Sequence, residues 1–152
     1  EGKVTVVDGA ENVETELLYT DSVRDIAILR PKRQLQKIKP KSWKINKEKD
    51  LIGTYANYTG YPSQLGKVLI TGMISGGDSE NILMQSFALP GSSGSVVFDE
   101  KGRVLGIVSA VMLYRSPFSP YPQLQENMVY VAKLDFIDKN FIKEIFNVSR
   151  GL

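Results

Sequence analysis

The sequence has no histidine, no cysteine and a single tryptophan in 152 residues. Without histidine it lacks the commonest general base and the commonest metal ligand, and without cysteine it forms neither disulfides nor zinc–thiolate sites. Small disulfide-stapled enzymes are therefore poor guides to it. No run approaches the roughly 18 consecutive apolar residues that a membrane-spanning helix needs, and no basic-then-apolar segment reads as a signal peptide. Helical periodicity is scarce as well, being confined to the last part of the chain.

What is present is strand-forming sequence. With 42% hydrophobic residues, the chain can bury one sizeable core. KVTVVDGAENVETELLYTD reads as two strands about an Asp8-Gly9 turn, and DIAILR, opened by Asp25, as a third. LIGTYANYTGYP, GKVLITGMISGG and ILMQSFA add further strands. GSVVFDEKGRVLGIVSAVML reads as a hairpin turning at Gly102, and MVYVAKL closes the set. YRSPFSPYPQLQE, residues 114–126, carries three prolines and is expected to be a surface loop. In DFIDKNFIKEIF, Ile137, Phe141, Ile142, Ile145 and Phe146 recur at helical spacing, with Asp135 as N-cap and Asp138 at the positive end of the dipole. About eight or nine short strands with one terminal helix argue for an all-β barrel or sandwich.

Charge is unevenly placed. The net charge is +2, yet Arg30–Asp50 holds nine Lys/Arg against two acids, leaving the remainder acidic. Two prolines and the loss of apolar alternation make this stretch read as a linker between packed units. Its one aromatic residue, Trp43, gives little for bases to stack on, so a nucleic-acid partner is not expected. Asp99 and Glu100 sit in the hairpin turn and read as turn residues. Asn57 and Asn147 begin matches to the glycosylation acceptor pattern, with Asn57 inside an expected strand.

The chemistry concentrates in ALPGSSGSVVFDEKGRVLGIVSA. A nucleophilic serine needs its hydroxyl raised on a tight turn beside free backbone N–H groups that can hold an oxyanion. Gly91 can take backbone angles closed to other residues, which lets its N–H and that of Ser93 face one hollow. GxSG alone is an ordinary turn.

Three ordered segments raise it above that. VTVVDGAENVETELLYTDSVRDIAIL, LIGTYANYTGYPSQLGKVLITGMIS and ILMQSFALPGSSGSVVFDEKGRVLGIVSA together resemble the trypsin-like (chymotrypsin-fold) serine peptidases, most closely the HtrA or Do-like branch. The resemblance implies an all-β, two-barrel trypsin-like serine peptidase fold with the first barrel incomplete and a C-terminal helix. Residues 1–33 would be the last strands of the N-terminal barrel, 34–50 the basic inter-barrel linker, 51–134 the C-terminal barrel and 135–147 the helix. Ser93 would be the nucleophile, Asp25 the triad acid, and the Gly91 and Ser93 amides the oxyanion hole. Ser109 would support the triad, with Ser109, Ala110 and Val111 pairing with extended substrate. Phe87 would lie near the floor of the specificity pocket and Tyr130 along its wall, making it apolar.

Two departures accompany the resemblance. Ser92 and Ser95 stand where the family places an Asp or Asn and a Gly. The family's catalytic histidine precedes a segment like VTVVDG, so it is expected on an upstream polypeptide that also completes the first barrel. Residues 1–152 alone would then be nearly inert. The expected function is a serine endopeptidase, a hydrolase acting through an acyl-enzyme on a peptide or protein substrate. The alternative is a non-catalytic peptidase-fold module that grips a protein partner. Lys101 or Lys133 as a replacement base is not placed beside Ser93 by anything in the sequence. No cofactor, metal or membrane span is implied, and the HtrA-like resemblance implies an extracytoplasmic or periplasmic location.

Overall fold

Apolar alternation and turn dipeptides produce the strands where the sequence places them. The computed structural model describes residues 3–39, 42–62, 65–114, 117, 118, 121 and 123–148. Among these lie β1 (Thr5–Asp8), β2 (Glu11–Asp21), β3 (Ile26–Pro31), β4 (Tyr55–Gly60), β5 (Val68–Gly77), β6 (Asn81–Gln85), β7 (Val96–Asp99), β8 (Val104–Tyr114), β9 (Gln123–Lys133) and α1 (Lys139–Val148). The expected all-β class with a terminal helix is what forms. No helix among the described residues is long and apolar enough to cross a membrane.

The chain divides into two units: 1–42 with 137–152, and 43–136. In the first, β1, β2 and β3 form an open antiparallel sheet in that order. Asp8 pairs with Glu11, so Gly9 and Ala10 form the two-residue turn, with Gly9 at φ 70° in its first central position. α1 packs against this sheet: Phe141 meets Tyr19 edge-on with ring centroids 5.0 Å apart, and the Arg30 guanidinium lies 5.6 Å from the centre of the Phe146 ring. Asp138, rather than the expected Asp135, is the N-cap. Its Oδ1 accepts the Asn140 and Phe141 N–H groups, each at 2.8 Å, because it directly precedes the first helical residue.

The second unit is a closed antiparallel barrel in the order β4-β5-β6-β9-β8-β7. Ala56, Tyr58, Ile74, Met84, Val97, Val129 and Val131 fill its interior at no more than 1% exposure, and closure leaves no edge strand to protect. Gly106 lets β8 approach β9 closely, since a Cβ there would lie 2.1 Å from the Ala132 carbonyl oxygen. β9 begins at Gln123, inside the stretch expected to be a proline-rich loop. Pairing with β8 from Tyr114↔Gln123 onward outweighs the local turn signal. Residues 115, 116, 119, 120 and 122 of that stretch lie outside the described residues.

The basic segment is fastened in both units. Asp8, 3% exposed, accepts the N–H groups of Gln36, Lys37 and Ile38 at 2.6, 2.8 and 2.9 Å. These three bonds, Gln36 first, hold its carboxyl below the ordinary carboxylate value despite the opposing effect of burial. Further on, Ile45 bridges to Val104, and Asn46 is buried. Its side-chain amide donates to Asp99 at 3.1 Å, and Glu48 pairs with Arg103 at 2.6 Å.

Candidate active site

The turn that carries Ser93 is set by Pro90 and Gly91. The Ser92 N–H donates to the Leu89 carbonyl at 3.0 Å, and Gly91 has φ 97°, the pattern of a type II turn with Pro and Gly at its centre. The next residues are tied into the barrel: Gly94 N–H donates to the Val108 carbonyl at 2.8 Å, Val108 N–H to the Ser95 carbonyl at 2.9 Å, and Ser95 N–H to the Ser92 carbonyl at 3.1 Å. Among the described residues, the Gly91 and Ser93 N–H groups donate to no acceptor, whereas those of Ser92, Gly94 and Ser95 all do. The local sequence thus leaves two N–H groups available on either side of a buried serine.

Ser93 itself is exposed. Its Oγ donates to the Ser109 carbonyl at 3.4 Å, a long bond that costs little to give up. Beside it lies a hollow of about 120 Å³, lined by Ala88, Leu89, Pro90, Ser92, Ser93, Val108 and Ala110. Phe87 and Tyr130 are not among its lining residues. Phe87 has a half-exposed ring, while Tyr130 is half-buried and pairs with Ala110 on β8 and Leu83 on β6. The β7–β8 ladder ends at Val96↔Ile107, and β8 runs on through Ser109, Ala110 and Val111 to Tyr114.

Below the turn, Tyr58 is fully buried. Its hydroxyl donates to the Phe87 carbonyl and lies 3.5 Å from Ser92 Oγ. Burial raises the Tyr58 hydroxyl above its ordinary value, with the Ser92 contact opposing that rise. The sequence gives no sign of this pairing, because Tyr58 reads as one more apolar strand residue.

Asp25 belongs to the open-sheet unit. Asp21 shapes the turn before it, its Oδ1 accepting the Val23 and Arg24 N–H groups, both at 3.0 Å, and its Oδ2 the Arg24 guanidinium at 2.8 Å. Asp25 then takes φ 55°, left-handed backbone that a non-glycine residue adopts at a cost, directly before β3. Its side chain is exposed, and the following Ile26 is buried. No group of three or more acidic side chains that could hold a metal ion occurs among the described residues.

A closed antiparallel barrel carrying an exposed serine on a Pro-Gly turn beside an apolar hollow is compatible with a peptidase domain. The chain belongs to the trypsin-like peptidase domain family, whose model matches residues 2–107. Among solved structures it is similar to a variant of the HtrA-type protease AlgW with decapeptide (17% identity, TM-score 0.60, covering 81% of this chain and 37% of that one). It is similar also to AlgW with decapeptide (18% identity, TM-score 0.61, covering 92% and 42%). These likenesses concern the fold, and the chain spans about two fifths of the length of the AlgW chains. No curated protein sequence matches it.

Proposed function

We propose that this chain carries the nucleophile and oxyanion hole of a serine endopeptidase. The observation that supports this best is the Leu89–Ser93 turn, where an exposed serine hydroxyl accompanies two uncommitted N–H groups. Ser93 Oγ attacks the scissile carbonyl carbon while its proton passes to a base, and the Gly91 and Ser93 N–H groups hold the oxyanion. The C–N bond then breaks, the base returns the proton to the leaving amine, and an acyl-enzyme remains. Water, deprotonated by the same base, hydrolyses the ester and regenerates Ser93.

The base is a histidine carried outside residues 1–152, because the sequence contains none, and Asp25 orients it. Substrate adds as a strand along Ser109, Ala110 and Val111, beyond the point where β7 stops. The hollow of about 120 Å³ favours a small aliphatic side chain at the cleaved position, with Phe87 and Tyr130 shaping the apolar surface around it. The AlgW structures contain a decapeptide, which supports a peptide as the substrate class. An upstream polypeptide would complete the first unit: β1 and β3 are its open edges, and a groove of about 360 Å³ on it is lined by Val4, Leu17 and Leu29 among others.

The test is hydrolysis of a peptide series by the full native protein and its Ser93→Ala variant. Cleavage after small aliphatic residues, falling by about 10⁴ to 10⁶ in the variant, supports the proposal. Tight peptide binding without cleavage in the wild type would instead make the protein a peptidase-fold binding module.

A further inference from the structure

The buried hydroxyls of Tyr58 and Ser92 take no part in the chemistry assigned to Ser93, yet they form a directed chain beneath its turn. Leu89 N–H donates to Ser92 Oγ at 3.4 Å, Ser92 Oγ lies 3.5 Å from Tyr58 Oη, and Tyr58 Oη lies 2.5 Å from the Phe87 carbonyl oxygen. Each hydroxyl has one proton to give. Tyr58 spends its proton on Phe87, so the Ser92 proton is directed to Tyr58. The chain starts at Leu89 and ends at Phe87, which closes the segment leading into the turn on a side chain from β4. The same strand presses on the turn elsewhere, for a Cβ on Gly60 would lie 2.7 Å from Ser95 Oγ and 3.7 Å from Ser92 Cα. That fit leaves the turn little freedom to shift against β4.

We infer that Tyr58 and Ser92 are positioning residues that hold the Pro90-Gly91 turn with the Gly91 and Ser93 N–H groups uncommitted and ready for an oxyanion. This rests on the proposed role of Ser93. Tyr58 is fully buried and acts only through the turn, while Ser92, 1% exposed, borders the hollow with its hydroxyl engaged by Leu89 and Tyr58. Tyr58→Phe removes the β4 hydroxyl that fixes the Phe87 carbonyl and meets Ser92 Oγ, and Ser92→Ala takes away the acceptor of the Leu89 N–H. The Pro90–Gly91 peptide can then rotate, because glycine tolerates either orientation. Rotation turns the Gly91 N–H away from the position where negative charge develops. The loss therefore falls on the transition state and spares ground-state binding.

Tyr58→Phe and Ser92→Ala, singly and together in the full native protein, test the inference through three readouts: peptide hydrolysis, melting temperature, and affinity for a peptidyl boronate. The tetrahedral adduct of the boronate on Ser93 presents an oxygen to the same N–H groups. Each single substitution is expected to lower kcat about tenfold, with KM within about twofold, and to weaken boronate binding by the same factor. The double variant should be no worse than the poorer single, because one chain is broken in every case. A Tyr58→Phe protein that melts earlier but keeps its kcat and boronate affinity overturns the positioning role alone. A wild-type protein that does not bind the boronate overturns the nucleophile proposal and this inference with it.

Discussion

Asp99→Asn leaves the number of heavy atoms unchanged and the volume nearly so, yet it should loosen the barrel unit measurably. The Asp99 carboxylate is 2% exposed and fully engaged. Oδ1 accepts the Lys101 and Arg103 N–H groups at 2.9 and 2.8 Å, and Oδ2 accepts Arg103 Nε at 2.6 Å and Asn46 Nδ2 at 3.1 Å. A carboxamide must turn its NH₂ group toward one of these donor pairs. Placed at Oδ2 it forfeits two hydrogen bonds to a charged acceptor, a cost of about 3 kcal/mol. For a chain of this size that corresponds to a fall in Tm of roughly 6 to 12 °C, readable by circular dichroism. The loss has a second signature. Asn46 and Glu48 are anchored through Asp99 and Arg103, so trypsin should cut at Lys47 and Lys49 faster in the variant.

The pH dependence has a defined sign. Burial alone would raise the Asp99 carboxyl, but the Arg103 N–H and guanidinium together with the Lys101 N–H outweigh it and hold it below its ordinary 3.8. A depressed folded value contributes stability above the unfolded value, and that contribution disappears as pH falls through the folded one. The gap between wild type and Asp99→Asn should therefore be constant near neutrality and narrow in acid. A Tm within about 1 °C of wild type at pH 7 would refute the clasp.

Gly106→Ala should destabilise the barrel by about 1 to 3 kcal/mol in urea titrations, because its Cβ would meet the Ala132 carbonyl oxygen at 2.1 Å and Val131 Cγ1 at 2.8 Å. Asp138→Ala should cost α1 about 1 kcal/mol and speed amide exchange at Asn140 and Phe141, whose N–H groups it caps. Asp25→Asn in the full native protein should lower kcat for peptide hydrolysis by about 10⁴, and an unchanged kcat would remove Asp25 from the acid role.

Local signals carried most of the fold into the sequence. DIAILR and DEKG became β3 and the β7–β8 turn because β-branched runs and Asp/Gly turns act over a few residues. The ordered peptidase-like segments also singled out Ser93, which lies on an exposed turn beside an apolar hollow. What escaped depends on partners distant along the chain. Asp8 reads as a turn residue, but its carboxylate holds Gln36–Ile38; Asp99 reads the same way, yet it anchors Asn46 as well as its own turn. A turn signal in sequence describes a residue's backbone and says nothing of what its carboxylate reaches. Tyr58 was hidden for the same reason, since its hydroxyl answers to Phe87 and Ser92, about thirty positions away. Helix α1 was legible in its apolar face but not in its cap, because Asp135 and Asp138 both suit the start of a helix and only the backbone decides between them.

Covalent labelling tests Ser93 as the nucleophile most directly. The full native protein, treated with a fluorophosphonate and examined by intact and peptide mass spectrometry, should gain one phosphonyl group located on Ser93, and Ser93→Ala should gain none. Equal labelling of the two proteins, or a wild-type adduct on another residue, would contradict it.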